Sequence, residues 1–582
     1  MDDETELGEA IAWLGQHAVG RGDDLAIALH PDTGLGLACR TGRLAIRCQH
    51  PAALVGLIED EIGPRWSWWD RTTADQFAEQ KIAIARCWDV LTVHRLLHGG
   101  WRTSIARAWA WIHDLSAESL PTMGQLDLLG THGDEGDDPE HPVRPDGHLR
   151  PEWLSGGWSA SPDRLATGAG LTLEAVDLQR ALLQRRPMPE RALSTAHSES
   201  AAEFLCAELT LEGLPIDDDE VHRIIAEAVG PRPSDERQAD ELRRRRDADV
   251  TRHLGPGPSV DLRNPADVKS MLRRVAVDVP DTRAWRLEQH RHTHPVVEAL
   301  LTWRKAERIA TTYGYRWLDE HVHDGRLRGD WTSSDGAAGR MTASAGLHNL
   351  PAEMRPAVAA EPGHVFVRAD LGQIEPRVLA AVSGDEALIA ATQDDDLYQP
   401  IASRLRVERA IAKVAVLGAM YGSTTGESAN ALRGLERNYP VAMSFLERAA
   451  AAGRAGDDVF TVGGRRVRMW VDDSIEGDID TARRVAAARG RFARNATIQG
   501  AAAEFFKVWA IIVRSRAAQL DARIVLCLHD ELIVHAPAEH ADQASVVLHQ
   551  AVDEAAYRWS PERNVRFIAD VSVIQRWSEA KA

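Results

Sequence analysis

Four groups of residues in this sequence have the types and spacing that chemistry needs. In "VFVRADLGQIEPR" an alternating apolar run, Val365-Phe366-Val367, stops on Asp370, and Glu375 follows five residues later. A half-buried strand ending on a carboxylate delivers that carboxylate to a sheet edge. In "RIVLCLHDELIVHAP" two apolar runs flank His529-Asp530-Glu531, which reads as a hairpin with acids at its tip where Asn-Gly or Asp-Gly is expected. Two strand-end carboxylates from distant parts of a chain can share one sheet and hold two magnesium ions, the arrangement in-line phosphoryl transfer requires. In "VERAIAKVAVLGAMYGST" Arg409, Lys413, Leu417 and Tyr421 recur every fourth residue. On a helix they make one stripe roughly 18 Å long, with two cations that could grip a triphosphate and an aromatic further along. In "RGRFARNATIQGAAAEFF" Arg491, Asn495 and Gln499 repeat the spacing, a stripe suited to a nucleic-acid backbone and minor-groove acceptors.

Each group also has a plain reading: a turn aspartate, a solvated basic face ending in a glycine cap, a polar surface stripe. Lys413 weighs against the plain reading of its helix. Lysine occurs only at Lys81, Lys269, Lys305, Lys413, Lys507 and Lys581, and arginine supplies the rest of the 68 basic residues. A lysine there implies that a compact ammonium is wanted.

The elements that must position these residues are legible in outline. After Asp370 the turn Leu371-Gly372 feeds a helix starting near Gln373. Pro376 is tolerated because the first helical turn has no internal acceptors for its N–H groups. A length of 582 residues suggests three or four folding units. Residues 1 to about 130 mix short strand-like runs with amphipathic helices and Trp-rich packing segments. A Gly/Pro/Asp-rich stretch from about Thr131 to Arg164 reads as a loop or linker. From about Ser198 the pattern is helical, and strands return beyond Trp331. The Arg243–Arg246 run reads as a solvated helix face, and the His290, His292, His294 cluster has no carboxylate or cysteine partner nearby for a metal.

Composition excludes several classes. The hydrophobic share of 44% and charged share of 27% are those of a globular chain. Five cysteines show no CxxC pair and no zinc spacing, so neither a disulfide framework nor a zinc ribbon is expected. The acidic amino terminus lacks a signal-peptide core and no apolar run is expected to span a bilayer; a cytoplasmic location, in a bacterium or a phage-infected host cell, is expected. The net charge of −19 argues against phosphate binding by the whole surface and leaves room for a local basic cleft.

The order of the motifs resembles the family A DNA polymerases, the bacterial DNA polymerase I type. "RADLGQIEPRVLAAVSGDEALI" is similar to their first palm motif, DYSQIELR, and "RAIAKVAVLGAMYG" to the fingers-helix motif, R-x3-K-x7-Y-G. "LHDEL" resembles the second palm motif, V-H-D-E-L, and "RNATIQG" the helix before it. "AAGRMTASAGLHNLP" resembles T-G-R-L-S-S…N-L-Q-N-I-P, and "HPVVEALLTWRKAERIATTYGYRWLDEHVHDGRLRGDW" the thumb helix and following strand. The likeness runs from about residue 200 to the end.

The resemblance implies a mixed α/β (α+β) right-hand polymerase preceded by an RNase H-like exonuclease-type domain. The divisions expected are 1–130 exonuclease-like, 131–197 linker and connecting helices, 198–320 thumb, 321–383 and 491–582 palm, and 384–490 fingers. It implies DNA-templated DNA synthesis by two-metal phosphoryl transfer, with primer-template DNA and deoxynucleoside triphosphates as partners, a monomeric state and no membrane. Asp370, Asp530 and the carbonyl of Leu371 would bind two Mg2+ ions, with Mn2+ able to substitute, and Glu531 would support them. Lys413 and Arg409 would hold the triphosphate, with Gln373, Leu417 and Tyr398 also at the nucleotide. Glu375 would exclude a 2′-hydroxyl and Tyr421 would lie at the nascent pair. Arg340, Arg491, Asn495 and Gln499 would touch the duplex, and His529 the primer end. Departures from the family pattern are Leu371-Gly372 for tyrosine-serine, Leu417 for an aromatic, Tyr398 for a histidine and His348 for a glutamine.

In the amino-terminal third, "RCWDVLTVHRLLHGG" resembles the helix after the exonuclease domain's second motif. No D-x-E stands at a first-strand end, where "LAIALHPDTGLGLACR" offers only Asp32, and the D-x-E of Asp2 to Glu4 lies at the terminus. An inactive proofreading domain kept as scaffold is expected, with no 5′-nuclease domain before it. The rival readings are an RNA polymerase or primase on a related scaffold, a translesion or repair polymerase, and a catalytically silent DNA-binding accessory protein.

Overall fold

The structure is a computed structural model describing residues 3–100, 102–123, 138–422, 428–470, 479–562 and 564–580. The chain divides into two compact units. The first comprises Met1–Leu211, Trp331–Thr342 and Val367–Val573, and the second Glu212–Asp330, Ala343–Phe366 and Ile574–Ala582.

The first unit begins with a five-stranded sheet made from β1 (Asp24–His30), β2 (Gly34–Cys39), β3 (Gly42–Ile46), β4 (Arg65–Trp68) and β5 (Cys87–Asp89), in the order β3-β2-β1-β4-β5. The first three strands run antiparallel through tight turns, whereas β4 and β5 join parallel to β1. That switch requires crossover segments, which here are helical. Helix α1 (Val90–His98) follows β5 directly and α2 (Ile105–Ile112) follows α1. Helix α3 (Pro162–Leu183) packs on the sheet and α4 (Pro189–Glu212) closes this part of the unit. Strand β2 is buried throughout. A Cβ on its Gly36 would lie 2.1 Å from the backbone of Leu165 and Ala166, so glycine is what lets α3 approach. Trp66, Trp68, Phe77 and Phe204 fill one core, and Trp88, Trp109 and Leu171 a neighbouring one.

The second unit is mainly helical. Helices α5 (Asp218–Val229), α6 (Glu236–Thr251), α7 (Pro265–Arg274) and α8 (Pro295–Thr312) surround a core of Val250, Met271, Leu272, Val297 and Leu300. A small sheet orders β6 (Leu214–Pro215), β8 (Arg326–Leu327) and β7 (Val322–His323). In α6, Arg243 and Asp240 pair on the solvent side, as the charge run suggested, whereas Arg246 departs from that face and lies 3.4 Å from the largely buried Glu307 of α8. His294 caps α8 by accepting the Val296 N–H at 3.2 Å.

The remainder of the first unit carries a second sheet. Strands β9 (Trp331–Asp335) and β10 (Arg340–Ala343) pair, and β11 (His364–Leu371) leads into α9 (Ile374–Ser383). Then come α10 (Tyr398–Leu405), α11 (Arg409–Tyr421), α12 (Pro440–Ala455), the short hairpin β12 (Val459–Phe460) and β13 (Arg466–Val467), and α13 (Ile479–Ala517). The hairpin of β14 (Arg523–Leu528) and β15 (Glu531–Pro537), helix α14 (Ala541–Trp559) and β16 (Ala569–Ile574) complete a sheet ordered β14-β15-β11-β16.

One expectation needs correction. Ile479–Leu520 is long and apolar enough to cross a membrane, but 89% of its apolar window is buried inside the protein. The sequence reading missed it because arginines before residue 495 dilute the run. Its apolar residues, including Phe505, Trp509 and Val513, serve as core.

Four charged side chains lie fully buried between α4, α13 and the β12–β13 loop. Lys507 Nζ donates to both oxygens of Glu199 at 2.7 Å, and Arg465 Nη2 lies 2.7 Å from the same carboxylate. Burial alone would raise the Glu199 carboxyl, yet Arg465 and Lys507 hold it below the usual range. Nearby Glu504 accepts from the Thr461 hydroxyl and from the Gly463 N–H at 3.1 Å, and burial pushes it up to about 7.

Candidate active site

Strand β11 is buried along nearly its whole length and surfaces at Asp370. The chain after it is clamped on both sides. Leu371 N–H donates to the Asp530 carbonyl at 2.7 Å, and Gly372 N–H to the Ile568 carbonyl at 3.0 Å. These bonds set the two strand-end aspartates side by side. A Cβ on Gly372 would lie 2.8 Å from the Ile568 side chain, and Leu371 is core, so the unusual Leu-Gly pair fits its surroundings.

The β14–β15 turn has two residues, His529 and Asp530, and Glu531 is already the first, buried residue of β15. Arg368 lies two residues before Asp370, on the same strand face. It donates from Nε to Glu531 at 2.9 Å and from Nη2 to Asp370 at 2.9 Å. One guanidinium therefore serves two acids in a cluster of three, with Asp570 adding to the negative field. Burial raises Asp370, and Glu531 adds to the effect against Arg368. Asp530 is pushed up to about 6 by burial, then by Asp370 and Glu531. Crowded carboxylate oxygens beside a backbone carbonyl form a hard donor set whose excess charge a divalent cation would relieve. Burial holds the His529 imidazole below its usual value, and Arg340 adds to this.

A second group forms where α9 meets α11. Gln373 caps α9 with a left-handed backbone, φ +55°. Its amide donates to Asp396 at 2.8 Å, and its carbonyl oxygen accepts the Leu397 N–H at 2.8 Å. Asp396 in turn holds Arg409, whose guanidinium lies 5.7 Å over the Tyr398 ring. Tyr398 is itself buried, beneath Arg409. Glu375, in the first turn of α9, accepts from Tyr421 Oη at 2.7 Å and from Arg340 Nη2 at 3.3 Å. Burial and Glu375 push the Tyr421 phenol up to about 12, with Gln499 and Arg340 pulling the other way.

Arg409, Lys413, Leu417 and Tyr421 fall along α11 as the spacing implies. Lys413 is exposed and makes no ion pair among the described residues, and Leu417 is half-buried. Gly422 ends the helix at φ +71°, packed so closely on Arg491 that a Cβ would lie 2.8 Å from its Cγ. Arg491, Asn495 and Gln499 share α13, where Arg491 is exposed and Asn495 and Gln499 are half-buried.

Several residues of the site were not singled out from the sequence. Arg368 could have been found by the two-residue strand period. Arg377, an arginine inside the apolar run of α9, is fully buried and donates to the carbonyls of Gly372, Thr392, Asp394, Asp395 and Arg566. It thereby fixes the loop that carries Asp396. Arg494 joins α13 to the Ala419 carbonyl of α11 at 3.2 Å and to Glu447 of α12 at 2.6 Å. Asp396 had no signal, because it sits in the run Asp394-Asp395-Asp396, which reads as solvated.

DNA polymerase I of Chloroflexus aurantiacus is 34% identical over 304 residues, 47% of this chain and 31% of that protein. The thermostable DNA polymerase I of Thermus aquaticus is 32% identical over 331 residues, 52% of this chain and 38% of that protein. The chain thus spans about a third of the length of these curated relatives. Its fold is similar to a solved structure described as the POL domain of Pol1 from M. smegmatis complex with DNA primer-template and dNTP. The TM-score is 0.66 at 20% identity, covering 98% of both chains. The sequence profile of DNA polymerase family A matches residues 267–579, more than half of the chain, and the chain belongs to that family.

Proposed function

We propose that this protein is a DNA-templated DNA polymerase that extends a primer 3′-hydroxyl with deoxynucleotides. The observation that carries this reading is the meeting of Asp370 and Asp530 at the Leu371–Asp530 backbone bond, in a chain of this family. Asp370, Asp530 and the Leu371 carbonyl are the residues that would hold Mg2+, or Mn2+ in its place. Two such ions activate a hydroxyl and neutralise a leaving pyrophosphate. Glu531 supports the pair by sharing Arg368 with Asp370, whose Oδ2 accepts from Nη2. Lys413, exposed and unpaired among the described residues, binds the triphosphate as a point charge. Arg409 is held ready by Asp396 and completes that grip, at the helix end where phosphate enters.

Glu375 stands against the nucleotide sugar, held by Tyr421 and Arg340, and its fixed carboxylate leaves no room for a 2′-hydroxyl. Arg340, Arg491, Asn495, Gln499 and His529 contact the primer-template duplex. The protein acts as a monomer in the bacterial cytoplasm. The burial of Tyr398, in the place of an imidazole that would reach phosphate, favours weaker nucleotide binding and a repair or translesion role over rapid replication.

The amino-terminal sheet is read as an RNase H-like exonuclease scaffold that no longer cuts. Its order and direction pattern support that reading, and between Asp24 and His30 strand β1 carries no acid. Asp24 is engaged by both Nη atoms of Arg180 at 2.5 and 2.6 Å. Asp89 caps α1 and accepts Trp68 Nε1 at 3.0 Å, with burial pushing it up to about 7. The test is extension of a labelled primer with deoxy- or ribonucleoside triphosphates. Extension with the deoxy set and an intact primer without nucleotides are expected. Primer shortening, or equal use of ribonucleotides, contradicts the reading.

A further inference from the structure

A cavity of about 490 Å³ opens in the first unit, and none of the residues assigned above to metal, nucleotide or duplex lines it. Helix α1 contributes His94 and His98 and α2 contributes Arg107 and Trp111, each pair one turn apart. The α1–α2 loop adds Arg102 and the segment after β13 adds Arg468. The wall is closely built. The His94 and His98 rings stack at 4.9 Å, and both stand edge-on to Trp111 at 5.2 and 5.3 Å. Gly99 leaves α1 at φ +81°, and a Cβ there would meet the Arg466 carbonyl at 2.7 Å and Arg468 Cγ at 2.8 Å. The loop is thus pressed against the hairpin that supplies Arg468.

Two observations point to a ligand. His94 is 3% exposed and borders the cavity, yet its Nδ1 has no hydrogen-bond partner among the described residues. A buried polar atom left so is destabilising, and a bound group would relieve it. Three guanidiniums also border the cavity and, among the described residues, no carboxylate does, on a chain of net charge −19. Arg107 and Arg468 are exposed and form no ion pair among the described residues. Burial holds His94 down to about 3 and lowers His98 too, so both rings are neutral and offer hydrogen bonds rather than charge.

We propose that this cavity binds a phosphate-bearing ligand of about one nucleotide in size, with the phosphate on Arg102, Arg107 and Arg468 and the remainder against Trp111 and the paired histidines. Guanidinium forks match phosphate oxygens in pairs, and the volume falls in the ~300–1,000 Å³ range of small-molecule sites. The same chemistry suits a free nucleotide or an inorganic polyphosphate. The site is independent of the polymerase reading.

The test is calorimetric titration of the full chain in metal-free buffer with dAMP, deoxyadenosine and inorganic pyrophosphate. Binding of dAMP is expected in the wild type and unchanged in Lys413→Ala, with deoxyadenosine at least about tenfold weaker. The double variant Arg107→Glu/Arg468→Glu, altered at two exposed positions, is expected to melt as the wild type does and to lose at least about tenfold in affinity. Tighter dAMP than pyrophosphate supports a nucleotide as the source, and the reverse supports an inorganic polyanion. The proposal is overturned if neither anion binds, if binding survives charge reversal, if deoxyadenosine matches dAMP, or if Lys413→Ala abolishes binding.

Discussion

Replacing Lys507 with methionine tests whether the amino-terminal part of the first unit is structurally tied to the helix of the candidate site. Lys507 Nζ sits 2.7 Å from both oxygens of Glu199, and neither side chain is exposed. Removing one member of a buried ion pair costs roughly 3–5 kcal/mol, because the other charge stays out of water. In Lys507→Met the Glu199 carboxylate keeps Arg465 at 2.7 Å, so the lower end, about 3 kcal/mol, is expected. Glu199→Gln strands two buried cations and is expected at the upper end, about 5 kcal/mol. The double variant leaves one cation facing a neutral amide and is expected to fall short of the sum by about 2 kcal/mol or more. Urea unfolding followed by tryptophan fluorescence measures this, since Trp66, Trp68, Trp88 and Trp509 are fully buried in the same unit. A loss below about 1 kcal/mol in either single variant, or additivity within about 0.5 kcal/mol, would refute the reasoning.

Two other expectations follow from the same geometry. Glu504 is raised from 4.5 to about 7 by burial, so the folded chain binds its proton more tightly. Its contribution is present below the unfolded value and lost as pH rises through the folded one. The wild type is therefore expected to lose stability between about pH 5 and about pH 7.5 relative to Glu504→Gln, and parallel urea curves across that range would contradict this. Tyr421→Phe removes the 2.7 Å bond that fixes Glu375. Discrimination against ribonucleotides is expected to fall about tenfold, the worth of a hydrogen bond to a charged acceptor, with deoxynucleotide kcat/KM little changed. Unaltered discrimination in steady-state kinetics would count against a fixed carboxylate.

The parts of the site that a local pattern encodes were legible in the sequence. Asp370 could be placed because it ends an apolar strand, Asp530 because it sits at a hairpin tip between two apolar runs, and the α11 stripe because its period matches a helix. Gly372 and Leu371 looked like departures until the packing of Ile568 and the core explained them. What stayed hidden depends on pairing across long separations. Glu199 and Lys507 are 308 residues apart, and no local period marks either as buried. Arg377 reads as an ordinary helical arginine until five carbonyls converge on it. Asp396 sits in an acidic run that looks solvated, yet it fixes Arg409. The long α13 misled in the opposite direction, since its charged first half masked an apolar second half.

The most direct measurement is single-turnover primer extension by Asp370→Asn and Asp530→Asn, with primer-template affinity measured in parallel by fluorescence anisotropy. Each substitution keeps the side-chain shape and removes one of the two charges that meet at the end of β11. Extension is expected to fall by at least about a thousandfold, while DNA affinity stays within about twofold. Extension near the wild-type rate in either variant would contradict a phosphoryl-transfer centre at these two aspartates.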